Sequence, residues 1–190
     1  WNVGFIQNSI ESILNGDKIE VKWMQHDVKH SWFADPFILD VTDKDIILLV
    51  EEYYKPIQRG RISKLTIDKR SLKLKAKEVV LELNTHLSFP AIEHRTDGIF
   101  IYPENGEAGG LWLYKYYPDI NKIERIKRLS DEPLADAICE DIDGEKWMFC
   151  TKRSNPNGKE LFLYKLDGNK VFQSRGSILF EENVARMAGH

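Results

Sequence analysis

Cysteine is scarce in this chain: Cys139 and Cys150 are the only two among 190 residues. Two thiols fall short of a Cys-based zinc site. Each lies in an apolar, strand-like context, so buried free thiols are expected, with a disulfide across a predicted hairpin as the alternative. Long apolar runs are missing as well. None approaches the roughly 20 residues of a membrane-crossing helix, and Trp1 to Gln7 lacks the basic start and apolar stretch of a secretory signal. The expectation is a soluble, cytoplasmic chain with no membrane span. Neither sign of charge prevails, with 27 Lys and Arg interspersed among 30 Asp and Glu, which excludes a broad field attracting nucleic acid or an anionic membrane. No glycine-rich phosphate loop precedes a helix, and no serine sits in a nucleophile elbow. His26 and His30 are spaced for one helical face but lack the glutamate of a zinc-protease helix, while His86, His94 and His190 are scattered. No metal and no cofactor is expected.

What is present is a repeat. With 42% apolar and 30% charged residues the chain can build a substantial core, and a short lead-in motif followed by an aromatic-rich strand returns through it. Ala34-Asp35-Pro36-Phe37-Ile38 is answered by Ser88-Phe89-Pro90-Ala91-Ile92 and Ala135-Asp136-Ala137-Ile138-Cys139, then by Ala185-Arg186-Met187-Ala188-Gly189. Pro36, Pro90, Ala137 and Met187 are spaced by 54, 47 and 50 residues. A period near 50 with several short strands per repeat points to radially repeated four-stranded sheets, because a single blade cannot bury both of its faces alone.

Alternation and turn residues give the strands. In the first repeat Phe37 to Leu39, Ile46 to Glu51, Arg61 to Ile67 and Lys77 to Leu83 are expected to follow one another, with a turn at Asp43 to Asp45. The second turns at Thr96-Asp97-Gly98 and the third at Asp143-Gly144, a hairpin signal. Blades are expected over about residues 33–84, 87–130 and 134–180, with a fourth lead-in at 184–190. Three repeats do not close a ring, so the reading is a single incomplete domain. Val3 to Ile6 and Val21 to Met24 are candidates for strands of a closing blade. One short helix is expected near Ser9 to Leu14, with Ile10, Ile13 and Leu14 on one face.

First strands of radial sheets converge on one axial pocket, so Asp35, Phe89, Asp136 and Arg186 occupy equivalent slots. Two carboxylates sharing a cavity suit general acid/base or nucleophilic work at a glycosidic bond, where one must be protonated while the other is ionised. Asp35 also reads as a turn residue before Pro36, and Asp136 as a strand start. The ends of the second strands add Glu51-Glu52, Glu104 and Lys152. Side chains alternate, so one of Glu51 and Glu52 faces the pocket; Glu104 is either a solvated loop carboxylate or a substrate contact. Arg61 is either a strand's exposed face or a ligand for phosphate or carboxylate. Trp32, Phe33, Tyr53, Tyr54 and Phe89 are platforms for the apolar faces of sugar rings or blade packing; Trp112, Trp147 and Phe149 are assigned to packing.

Trp32-Phe33-Ala34-Asp35-Pro36-Phe37, Leu49-Val50-Glu51-Glu52-Tyr53, Gly60-Arg61-Ile62, Leu87-Ser88-Phe89-Pro90, Tyr102-Pro103-Glu104, Ala135-Asp136-Ala137 and Ala185 to Gly189 together resemble the propeller domain at the N-terminus of glucosamine inositolphosphorylceramide transferases. That domain is similar to the five-bladed β-propellers of glycoside hydrolase families 43, 32 and 68. The resemblance implies an all-β, five-bladed propeller of glycosidase type, present as three blades plus part of a closing one. It implies a glycan or sugar-conjugate ligand and a fused or neighbouring transferase domain. By position Asp35 matches a general base and Asp136 a residue that tunes and orients. Arg186 stands where an acidic Glu is expected, which leaves Glu104 or Glu52 as the acid; the arginine itself suits an anionic group. Glu52, Arg61, Phe89, Lys152 and Arg186 are the implied substrate contacts. The function expected is glycan binding with hydrolysis or glycosyl transfer, or a catalytically silent glycan-binding module.

Overall fold

The computed structural model describes residues 1–154, 158–167 and 171–185. Its strands fall where β-branched and aromatic residues alternate with polar ones. After β1 (Gly4–Phe5), a one-turn helix α1 (Ile10–Leu14) and β2 (Lys22–Trp23), the chain builds three four-stranded units in succession. The first is β3 (Ser31–Val41), β4 (Asp45–Tyr54), β5 (Arg59–Asp68) and β6 (Leu74–Leu81). The second is β7 (Ser88–Arg95), β8 (Gly98–Glu104), β9 (Leu111–Tyr117) and β10 (Lys122–Ser130), and the third is β11 (Leu134–Ile142), β12 (Glu145–Lys152), β13 (Glu160–Asp167) and β14 (Val171–Leu179). Each is an antiparallel meander in which sequence neighbours pair in order. The repeat read from the lead-in motif is therefore a repeat of structure.

The turns follow from their residues. Asp143 and Gly144 have φ of 52° and 78°, both in the left-handed region that a tight two-residue hairpin requires. Thr42 Oγ1 accepts the backbone N–H groups of Lys44 and Asp45 at 3.2 and 2.9 Å and shapes the β3–β4 turn. The first strands β3, β7 and β11 lie side by side, and the sheets stack behind them. One apolar layer, with Leu49, Ile62, Leu87, Ile101 and Tyr116, fills the space between the first and second sheets. Another, with Phe89, Phe100, Leu113, Ile138 and Met148, joins the second to the third. Phe37 reaches into the latter and meets Phe89 edge-on, ring centroids 5.0 Å apart.

The segments at the start of the chain, Val3 to Ile6 and Val21 to Met24, each contribute a short strand. β1 and β2 pair with each other as a separate two-stranded sheet, and Val3 and Met24 cover the outer face of the first sheet with Phe33, Leu48 and Leu65. The helix forms with Ser9 as its cap, but its apolar side is not buried: Ile10 and Leu14 are 78% and 81% exposed. Five helical residues carry too little surface to dock by themselves. Cys139 and Cys150 are free thiols, because the register sets Cys139 opposite Met148. No helix among the described residues is long and apolar enough to cross a membrane.

Candidate functional site

The three lead-in motifs share an unusual backbone. Asp35, Phe89 and Asp136 have φ of 48°, 45° and 50°, a left-handed conformation that costs a residue with a side chain roughly 1 kcal/mol or more. Each lies at a break in register between the first and second strands: between Ala34 and Phe37, Ser88 and Pro90, Ala135 and Ile138. These are bulges, which re-aim a side chain at the rim of a sheet. The same distortion in all three sheets makes the slots equivalent in geometry.

The bulges also join one sheet to the next. The Phe89 N–H donates to Asp35 Oδ2 at 3.1 Å, and the Asp136 N–H donates to Glu104 Oε2 at 3.3 Å. Asp136 is buried and Asp35 and Glu104 are half-buried. Burial pushes the Asp35 carboxyl up to about 6; the Glu51 charge, a hydrogen bond with Glu51 and the charge of Asp136 add to the rise, while the Phe89 N–H opposes it. The carboxylates of the first and third sheets thus feel each other across the second.

Alternation selects Glu51, not Glu52, for this cluster. Ala34 pairs with Glu51, Ser88 with Glu104 and Ala135 with Thr151, so Glu51, Glu104 and Thr151 are the equivalent second-strand positions. Glu51 is buried, and its Oε1 lies 3.2 Å from His86 Nε2. His86 Nδ1 accepts the Gly60 N–H at 3.0 Å, which leaves the ring proton on Nε2, directed at Glu51. A hydrogen bond to the Glu51 carboxylate pushes the His86 pKa up, and burial opposes it. Gly60 has no room for a side chain, because a Cβ there would stand 2.3 Å from the Leu87 carbonyl oxygen and 2.9 Å from Glu51 Oε1. Beside this group Trp32 and Tyr53 stack at 4.8 Å with their planes 2° apart, and Tyr53 lies 6.3 Å from the His86 ring.

Glu52 is on the opposite face and fully buried. It receives hydrogen bonds from Ser31 Oγ at 2.6 Å, Ser63 Oγ at 2.6 Å, Lys77 Nζ at 2.7 Å and both Arg61 Nε and NH2 at 3.0 and 3.2 Å. Burial acts to raise its pKa, yet these bonds, Arg61 foremost, hold it at about 2. Arg61 divides itself between Glu52 and Glu82 and lies 4.2 Å over the Tyr54 ring. Lys152 is likewise paired, with Glu132 at 2.5 Å. Glu52, Arg61 and Lys152 therefore tie strands together and do not join Asp35 and Asp136. Phe89 contributes its backbone N–H, while its ring is 2% exposed and packed inside. Arg186 lies outside the described residues.

His86 and Glu107 carried no signal in the sequence. His86 sits in the linker before the second lead-in motif, and its backbone N–H donates to Glu107 Oε2 at 3.1 Å. Of the adjacent Glu51 and Glu52, the pairing of Glu51 with Ala34 is what makes the choice. A cavity of about 570 Å³ opens farther along the same first strands, between Pro36, Ile92, Glu93, Ile138, Cys139 and Lys146. Its lining does not include the carboxylates of the bulges, and its central charges are committed to each other, Glu93 with Lys146 and Arg95. The bulge end is the better candidate because its polar groups converge there. No set of three or more His, Cys, Asp or Glu residues is arranged to hold a metal ion among the described residues.

Residues 20–164 match the family described as glucosamine inositolphosphorylceramide transferase 1, N-terminal. The chain belongs to that family. Every residue of the cluster, from Asp35 to Asp136, lies inside the matched span of this family member, which ends within β13. A search of curated proteins gave no match.

Proposed function

We propose that the chain forms most of a five-bladed β-propeller of glycosidase type, and that the bulge end of its first strands binds a glycan or sugar conjugate for hydrolysis or glycosyl transfer. The observation that carries the proposal is the shared bulge of Asp35 and Asp136, with φ of 48° and 50° at equivalent breaks in register of the first and third sheets, beside which burial pushes the Asp35 carboxyl up to about 6. Work at a glycosidic bond uses two carboxyl groups, one that gives a proton and one that accepts. The stacked Trp32 and Tyr53 rings offer an apolar face of the kind sugar rings use. The family's printed name supports a setting beside a transferase domain.

A second reading, a silent glycan-binding module serving such a transferase, is favoured by one contact. Glu104 accepts the Asp136 N–H, which employs it in holding backbone. Wild type, Asp35→Asn and Asp136→Asn, assayed against a panel of glycosides and sugar nucleotides and for binding to the same sugars, separate the readings. Turnover lost in both variants supports the enzyme; equal sugar binding by all three with no turnover supports the module. Absence of both binding and turnover in the wild type overturns the carbohydrate reading.

A further inference from the structure

We propose that His86 is a pH-operated latch between the first and second sheets: the neutral imidazole clamps the linker before β7 to Gly60, and the imidazolium gives up Gly60 while keeping Glu51. The latch is a property of the protein without any ligand and stands apart from the carbohydrate reading.

Hydrogen bonds of two kinds hold the chain between β6 and β7 to the start of β5. Arg59 Nε donates to the Leu83 carbonyl at 2.8 Å and the Leu87 N–H donates to the Gly60 carbonyl at 3.0 Å. Both are the same at every ordinary pH, since a guanidinium stays charged and amides do not titrate. The other kind is the Gly60 N–H to His86 Nδ1 bond at 3.0 Å. Nδ1 accepts only while it carries no proton, and the neutral ring then has its proton on Nε2, 3.2 Å from Glu51 Oε1. A carboxyl oxygen accepts that Nε2–H from the neutral ring and from the cation alike. Protonation therefore sets an N–H against the Gly60 N–H and leaves the Glu51 contact intact. Strand and linker come closest at Gly60, where a Cβ would stand 2.3 Å from the Leu87 carbonyl oxygen and 2.9 Å from His86 Cε1.

The ring is open to protons, with its side chain 37% exposed. Glu51 faces it from β4, Glu107 from the turn after β8 and Glu104 from the end of β8, and the Tyr53 ring lies 6.3 Å away, tilted by 47°. The hydrogen bond to Glu51 foremost, and then these charges, favour the cation against burial, so the change of state falls above the ordinary 6.5. On the alkaline side of that change the clamp is complete; as pH falls through it, the Gly60 N–H is released. Glu107 Oε2 accepts the His86 backbone N–H at 3.1 Å and holds the residue in place in either state. Just beyond the linker the Phe89 N–H is bonded to Asp35 Oδ2, so the latch acts where the first two sheets meet at the bulges.

The test follows the imidazole nitrogens of His86 and the amide hydrogens of Gly60 and Leu87 by NMR across the titration of His86, in wild type and His86→Asn. On the alkaline side the expected signature is a proton on Nε2 and none on Nδ1. As pH falls through the midpoint, the exchange protection of the Gly60 amide, corrected for the intrinsic pH dependence of exchange, is expected to drop about 3- to 10-fold, the worth of one hydrogen bond, while Leu87 stays protected. Asparagine places a carbonyl oxygen near the position of Nδ1 and does not titrate, so His86→Asn is expected to hold the Gly60 protection constant with pH. A proton on Nδ1 on the alkaline side overturns the latch. So does Gly60 protection that is level across the wild-type titration, or that still changes with pH in His86→Asn. Should His86→Asn fail to fold, the wild-type nitrogen shifts and amide exchange decide alone. None of these measurements uses a sugar, so the latch and the carbohydrate reading fail separately.

Discussion

Replacing Asp35 with asparagine is expected to make the folded protein more stable at neutral pH. The Asp35 carboxyl rises from an ordinary 3.8 to about 6 on folding. A raised pKa means the native state holds this proton more tightly than the unfolded chain does. The favourable contribution is present in full below about pH 4 and is lost as pH climbs through about 6. At about 1.4 kcal/mol for each pH unit, the ionised carboxylate costs the native state on the order of 3 kcal/mol. Half-burial and local relaxation bring the expected measured value to about 1–3 kcal/mol.

Asparagine is a fair mimic of the protonated acid. Its carbonyl oxygen can accept the Phe89 N–H, its amide can donate to Glu51, and it is among the side chains that best tolerate a φ of 48°. Urea unfolding of wild type and variant across the pH range reads the difference directly. The two curves should coincide near about pH 4 and separate to a plateau above about pH 7, with the variant the more stable. Equal stability at mildly alkaline pH, or a less stable variant, would show that Asp35 carries no electrostatic penalty and would refute the reasoning.

Glu52→Gln should behave in the opposite sense. Losing the buried partner of Arg61 and Lys77 is expected to cost about 3–5 kcal/mol at neutral pH. Because the Glu52 pKa falls from 4.5 to about 2 on folding, its contribution is present above about pH 4.5 and fades toward about pH 2, so the variant's deficit should shrink in acid. A deficit under about 1 kcal/mol at neutral pH in the same urea assay would count against the hub. Both thiols should resist a disulfide reagent in the native protein at mildly alkaline pH and react fully in urea. Burial pushes Cys139 up to about 12 and Cys150 higher still, so a fast native reaction would contradict their placement.

The repeat was legible because it is written twice, as a period and as a motif, and the bulges give its lead-in slots a common backbone. The equivalence of the Asp35 and Asp136 slots was legible for that reason. The parity of a strand tells that Glu51 and Glu52 face opposite ways but not which way either faces, and the bulge after Ala34 removes the usual means of counting. Arg61 and Lys152 were hidden likewise, because a cation's partner across a sheet depends on register. His86 joins the site through a linker with no periodicity. The exposed face of α1 shows a helical pattern without anything to bury it against, which sequence spacing does not distinguish from a docked helix.

The N–H to carboxylate bonds at the bulges, Phe89 to Asp35 and Asp136 to Glu104, have a further consequence for how the protein can vary. Adjoining sheets are pinned to each other at the atoms of the site, so the site acts as the datum from which their tilt is set. A replacement at a bulge is then expected to alter the local polar groups and the angle between neighbouring sheets together.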